Sequence, residues 1–112
     1  MTHSFDVDIA KKFGVNAAIL LQNIYFYCKK NKADNTNFRD GLYWICNSRM
    51  AFSVLFPYLS ERQVKTALDK LVDNGLIAIG NYNDDGRDRT LWYAVTDIGN
   101  RVCGERQDKA VV

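Results

Sequence analysis

Proline is nearly absent from this chain, histidine occurs once, and neither sign of charge predominates. Each shortage excludes something. With Pro57 as the sole proline and seven glycines in 112 residues, there is little room for a long linker. A single domain over residues 1–103 is expected, with residues 104–112 as a frayed tail. His3 is the only histidine, and Cys28, Cys46 and Cys103 are widely spaced. Neither a zinc-type ligand set nor a disulfide framework is expected, and reduced thiols in a cytoplasmic protein are the simpler reading. Fifteen basic and 13 acidic residues leave a formal charge of +2, so any case for nucleic acid must rest on where the charges sit. The most apolar run, Ala17 to Cys28, is interrupted by Gln22 and Asn23. It is too short and too polar to span a bilayer, and no apolar signal-peptide core is expected behind Asp6 and Asp8. No nucleophile elbow and no phosphate-binding glycine loop occurs. An enzyme is not expected, and no cofactor or metal is called for.

What is present is enough apolar and aromatic content, 47% and 12%, to bury a core. Residues 5–13 read as a short helical segment with Phe5, Ile9 and Phe13 on one face, ended by Gly14. Asn16 is the expected N-cap of a long helix over 17–30. Its stripe of Ala17, Leu20, Leu21, Ile24, Tyr27 and Cys28 is widened by Ala18, Ile19, Tyr25 and Phe26. That is broader than a surface helix needs, so the helix is either central or partly turned to another subunit. Lys29 to Asp40 reads as a polar loop, with Lys29, Lys30 and Lys32 suited to the helix dipole. Leu42 to Cys46 is a short strand candidate in which Tyr43 and Trp44 are expected to be buried.

The second half is more sharply patterned. Asn47 or Ser48 can cap a helix over 49–56 that faces Ala51, Val54 and Leu55 inward and stops at Pro57. Ser60 then opens a second helix, with Gln63 as its capping-box partner and Leu59 and Val64 as a hydrophobic staple. Val64, Ala67, Leu68 and Leu71 share its inner face, and Gly75 with Leu76 fits a Schellman end. Residues 76–82 and 90–96 read as two strands joined by Asn83-Asp84-Asp85-Gly86 and the Arg87-Asp88-Arg89 tip. Trp92 and Tyr93 fall on opposite faces of the second strand, so one is expected to be buried and the other partly exposed. Thr96 can cap a short last helix over 97–103.

Helix, turn, capped helix and two-stranded hairpin together resemble a winged helix-turn-helix domain, an α+β fold that is mainly helical with a short strand and a β-hairpin wing. The likeness extends to Phe5-Asp-Val-Asp-Ile-Ala-Lys-Lys-Phe-Gly, Asn16-Ala-Ala-Ile and Phe38 to Trp44. It continues through Ala51-Phe-Ser, Leu55-Phe-Pro-Tyr-Leu, Gly80-Asn-Tyr-Asn and Asp88-Arg-Thr-Leu-Trp-Tyr-Ala. Over residues 5–98 the chain is similar to phage and mobile-element replication proteins of the replisome-organiser, DnaD-like N-terminal domain type. The resemblance implies DNA binding in replication initiation within a bacterial host cell. Members of that type often continue into a C-terminal region that recruits other replication proteins, whereas this sequence stops soon after the hairpin.

The DNA-binding residues expected on this basis fall into two clusters. Arg62, Lys65 and Thr66 lie on the outer face of the Ser60 helix. Arg62 suits bidentate contact with guanine and Lys65 suits phosphate or guanine, while Ser60 can hold a phosphate as well as cap the helix. Glu61 can read cytosine, but it equally complements the helix dipole. The second cluster is Arg87 and Arg89 at the hairpin tip with Asn83 nearby, placed for the minor groove or the backbone. Asp84, Asp85 and Asp88 can pair with these arginines instead. Arg49 can clamp a further phosphate. The partners implied are double-stranded DNA, a second copy through the long helix or the C-terminal helix, and replication proteins. A transcriptional regulator and a winged helix used for protein–protein contact remain open beside the replication role.

Overall fold

The computed structural model describes residues 2–111, and side chains for residues 2–104. Ten elements follow in order: α1 (Val7–Phe13), α2 (Val15–Asp34), β1 (Phe38–Arg39), β2 (Leu42–Tyr43), β3 (Ile45–Asn47), α3 (Arg49–Leu55), α4 (Glu61–Asp73), β4 (Ile77–Gly80), β5 (Leu91–Val95) and α5 (Asp97–Val111). Among the described residues the fold is α+β, with five helices and two small antiparallel sheets.

α2 is the central element. Ala17, Ala18, Ile19, Leu20, Leu21, Ile24, Tyr25 and Cys28 are all buried on it. α1 and α4 pack against it, as do β5 and the strands β2 and β3, which explains its over-wide apolar stripe. Phe26 and Tyr27 stay exposed, edge to face with one another. The helix differs from the expected 17–30. It starts at Val15, behind Gly14 rather than Asn16. Gly14, at φ 92°, closes α1 through its N–H to the Ala10 carbonyl and opens α2 without a side-chain cap. At the other end the helix runs on to Asp34 and stops at left-handed Asn35. The polar composition of 29–34 therefore marks an exposed helical face, and of the three expected lysines only Lys32 lies in the last turn.

The rest of the expected loop also holds structure. Asp40 (φ 51°) and Gly41 (φ 82°) form the two-residue turn that joins β1 to β2, and Phe38 faces Tyr43 across it. The single strand expected over 42–46 is thus divided. β2 belongs to this small hairpin, while β3 pairs with β5. The second sheet is three-stranded in the order β3-β5-β4, so the two strands read from the sequence gain a third.

This extra cover changes the expectation for Trp92 and Tyr93. They do point to opposite faces, but both are buried. Tyr93 enters the main core, edge to face with Phe52. Trp92 enters a smaller cluster on the other face with Trp44 and Ala94, closed by Leu42, Ala78 and Tyr82. Trp44 is buried as expected, whereas Tyr43 is half-buried.

α3 is capped by Ser48, whose Oγ accepts the Ala51 N–H at 3.0 Å. Its inner face is Phe52 and Phe56 with Leu55. Val54, expected inside, is 75% exposed. The two aromatic rings have more area to bury, and they set the helix phase. α4 follows its sequence pattern throughout. Gln63 N–H donates to Ser60 Oγ at 3.1 Å and Ser60 N–H to Gln63 Oε1 at 2.9 Å. At the far end Leu76 N–H reaches the Leu71 carbonyl and Gly75 N–H the Val72 carbonyl, each at 2.9 Å, which is the Schellman pair. Val64, Ala67, Leu68 and Leu71 are buried, and burying each of the larger three stabilises by about 1.5–3 kcal/mol.

Thr96 joins these parts to α5. Its hydroxyl donates to the Gly75 and Leu76 carbonyls and accepts the Gly99 N–H. α5 continues past the expected end at Cys103. The tail expected over 104–112 lies, beyond Gly104, outside the residues whose side chains are described. No helix among the described residues is long and apolar enough to cross a membrane.

Candidate functional site

Arg49, Arg62, Lys65 and Arg89 line one open cleft of about 490 Å³, although they come from three separate elements. Arg49 is the first residue of α3, fixed there by the Ser48 cap. Arg62 and Lys65 stand on the outer face of α4, opposite the buried Val64 and Leu68. Arg89 is in the loop between β4 and β5, and the pairing of β5 with β3 brings that loop beside α3. All four side chains are exposed. Asn47, Ser48 and Tyr93 also border the cleft, and Glu61 is its one carboxylate. Burial pushes the Tyr93 phenol up, while Arg49 beside it works the other way. Among the described residues the four cations outnumber the one carboxylate of the lining, so the cleft carries a net positive charge.

Lys65 is not wholly free to do this. Its ammonium holds Asp69 one turn on at 2.6 Å, with both side chains about half exposed, 55% and 51%. Arg49, Arg62 and Arg89 make no ion pair with a described carboxylate.

The β4–β5 loop uses its acids internally. Asp85 accepts the Arg87 N–H and Asp88 accepts the Thr90 N–H, so both carboxylates brace turns. Hydrogen bonds from the Thr90 backbone and side chain hold the Asp88 carboxyl below the usual carboxylate range. Among the described residues neither Arg87 nor Arg89 is ion-paired with Asp84, Asp85 or Asp88. Arg87 is exposed but lies outside the cleft lining. Asn83 has a structural task. Its amide N–H groups donate to the Asp88 carbonyl at 3.0 Å and the Thr90 carbonyl at 2.7 Å, and its oxygen accepts the Trp92 indole N–H at 2.7 Å. It positions the loop that carries Arg89. Ser60 is likewise engaged as a cap, and its hydroxyl accepts the Gln63 N–H.

Thr66 looks the other way. With Arg62 and Lys70 it borders a second cleft, of about 400 Å³, between α4 and the start of α2. Lys70 is missing from the residues expected on sequence. The signal is its place in the row Arg62, Thr66, Lys70, at four-residue spacing along the exposed face.

A larger cleft, of about 740 Å³, lies elsewhere. His3, Asn47, Ala51, Val54, Leu55, Pro57 and Tyr58 line it. Met50, Val54 and Tyr58 are exposed by 66%, 75% and 55%, and His3 donates to or accepts from the Tyr58 hydroxyl at 2.7 Å. Among the described residues the lining of this cleft is mostly apolar and includes no lysine or arginine, so it lacks the positive charge of the first cleft.

No group of three or more residues suited to a metal ion is found among the described residues. In comparisons with known proteins the chain matches no family model, no curated protein and no solved structure.

Proposed function

We propose that the protein binds duplex DNA through a winged helix-turn-helix unit made of α3, α4 and the β4–β5 hairpin. The observation that carries this is the convergence of Arg49, Arg62, Lys65 and Arg89 on one cleft. Cations from a helix start, an exposed helix face and a hairpin loop together follow a curved, charged rod better than they fit a small anion. The order helix, strand, two helices, two strands also suits a winged helix, with β3 added to the edge of β5. In this reading α4 lies in the major groove. Arg62 reads a base, Lys65 and Arg49 hold phosphates, and Arg89 meets the adjacent backbone or minor groove. Arg87 adds charge at the tip, Thr66 faces the opposite flank, and Ser60 and Asn83 hold the elements in place.

The protein is thus taken as a binder rather than an enzyme, acting without a cofactor in the cytoplasm of a bacterial host. A role in phage or mobile-element replication is what the sequence likeness suggests, and transcriptional regulation uses the same geometry. A second reading, as a protein-interaction module, draws on the exposed apolar surface of Met50, Val54 and Tyr58. That surface can serve a second copy or a replication protein.

A mobility-shift titration on phage and host DNA across a salt series tests the proposal. Affinity is expected to fall steeply with salt, as several phosphates are neutralised. Arg62→Ala is expected to cost about 1–3 kcal/mol on a preferred sequence. Absence of binding at low salt would leave the interaction module as the surviving reading.

A further inference from the structure

We infer that α4 is held on both flanks: in the cleft bordered by Arg62, Thr66 and Lys70, Lys70 and Thr66 seat a backbone phosphate of the DNA strand opposite the one gripped by Arg49 and Arg89. This rests on the DNA-binding proposal and goes further by assigning a site on the far side of the helix.

Three observations support it. First, the cleft carries two cations and no carboxylate in its lining, whereas the cleft on the other flank includes Glu61. Second, Lys70 does not stand out into solvent at random. Its Nζ lies 3.8 Å from where a Cβ on Gly14 would be, so the side chain leans across to the start of α2 and points its charge into the cleft. Neither Lys70 nor Arg62 makes an ion pair with a described carboxylate. Third, Arg62 borders both clefts. The two basic surfaces are therefore flanks of one helix and not unrelated patches. A helix about 10–12 Å across with its side chains fills a major groove about 12 Å wide, so basic groups on its two flanks meet opposite strands. Thr66, exposed between the two cations, supplies a hydroxyl donor.

The test compares Lys70→Gln with Arg49→Gln and with the double variant, by fluorescence anisotropy on a labelled duplex over about 50 to 200 mM salt. Each lost phosphate contact lowers the slope of log affinity against log salt by about 0.9. Across that range the wild type should therefore lose roughly threefold more affinity than either single variant, and roughly twelvefold more than the double variant. Lys70→Arg should restore the wild-type slope, which a general loss of folding would not allow. Ethylation of single phosphates should interfere on both strands in the wild type, with the Lys70→Gln variant insensitive on one strand and the Arg49→Gln variant on the other.

The inference is overturned if Lys70→Gln keeps the full slope while Arg49→Gln loses a step. DNA binding would then stand and the second flank would not. It is also overturned if the two variants lose sensitivity to the same strand. If the wild type binds no duplex at low salt, the DNA proposal itself fails and takes this one with it.

Discussion

The indole N–H of Trp92 donates to the side-chain oxygen of Asn83 at 2.7 Å, which ties a buried residue of β5 to the loop that carries Arg89. The same amide holds the Asp88 and Thr90 carbonyls. Three polar groups thus depend on one side chain. Asn83→Ala strands them and should cost about 1–3 kcal/mol, read as a lower urea midpoint. DNA affinity should fall as well, although Asn83 itself touches no nucleic acid in the proposal, because Arg89 loses its fixed position. Asn83→Asp keeps the acceptor for Trp92 and removes both donors, and its cost should be intermediate.

Asp69 restrains Lys65. The pair is exposed, so Asp69→Asn should change stability by less than about 1 kcal/mol. Releasing the ammonium and removing a negative charge should tighten duplex binding at low salt by up to about fivefold, the factor equivalent to such a pair. The gain should shrink as salt rises. A titration at two ionic strengths distinguishes this from an unchanged Lys65.

Two glycines of α5 should respond in opposite directions to the same substitution. A Cβ on Gly99 would lie 2.1 Å from the Leu76 carbonyl oxygen, a backbone atom that cannot turn away. Gly99→Ala should destabilise by about 1–3 kcal/mol through forced separation of α5 from β4. Among the described residues a Cβ on Gly104 meets nothing nearer than the Tyr25 hydroxyl at 3.9 Å. Gly104→Ala should stabilise by about 0.5–1 kcal/mol, from helix propensity alone. Thermal melts of the two variants give the comparison.

Burial pushes the Cys28 thiol up to about 11 and the Cys103 thiol up to about 12, from an ordinary 9.0. The native state therefore binds these protons more tightly than the unfolded chain does. The associated stability is complete below about pH 9 and is lost as pH rises through the two folded values. Urea midpoints should fall over that alkaline range, and less so in a chain with both cysteines replaced by alanine. At neutral pH the exposed Cys46 should be alkylated first, with Cys28 and Cys103 reacting only on unfolding.

What could be read from the sequence was the part governed by neighbours in the chain. The Ser60 capping box, the Schellman end at Gly75 and the four buried residues of α4 all depend on contacts within a few positions. The exposure of Arg62 and Lys65 was legible for the same reason, because a charged residue opposite the apolar stripe of α4 has only solvent to face. The convergence of the cations on the main cleft was not. It depends on β3 pairing with β5, which carries Arg89 to the side of Arg49. Trp92 needed knowledge of Trp44, between β2 and β3, and Tyr82, beyond the end of β4, which turn its face of the sheet into a second core. The β1–β2 turn was different. Asp40-Gly41 is a strong local signal, but the run of Asn, Lys and Asp before it suggested loop, although its first part is the exposed end of α2. Val54 misled because a β-branched apolar residue was counted toward the core, when the bulk of Phe52 and Phe56 decides which way α3 turns.

The second core also determines what light can report. Trp44 and Trp92 are the chain's two tryptophans, and both sit in that small cluster. The main core around α2 contains neither. Tryptophan fluorescence, excited apart from the tyrosines, is therefore an observer posted on the outer layer of the three-stranded sheet, away from the main helical core. Circular dichroism sees chiefly those helices. Agreement between the two signals during unfolding would mean that sheet layer and helical body let go together. A gap between them would reveal a layer that peels away first, with the hairpin loop attached.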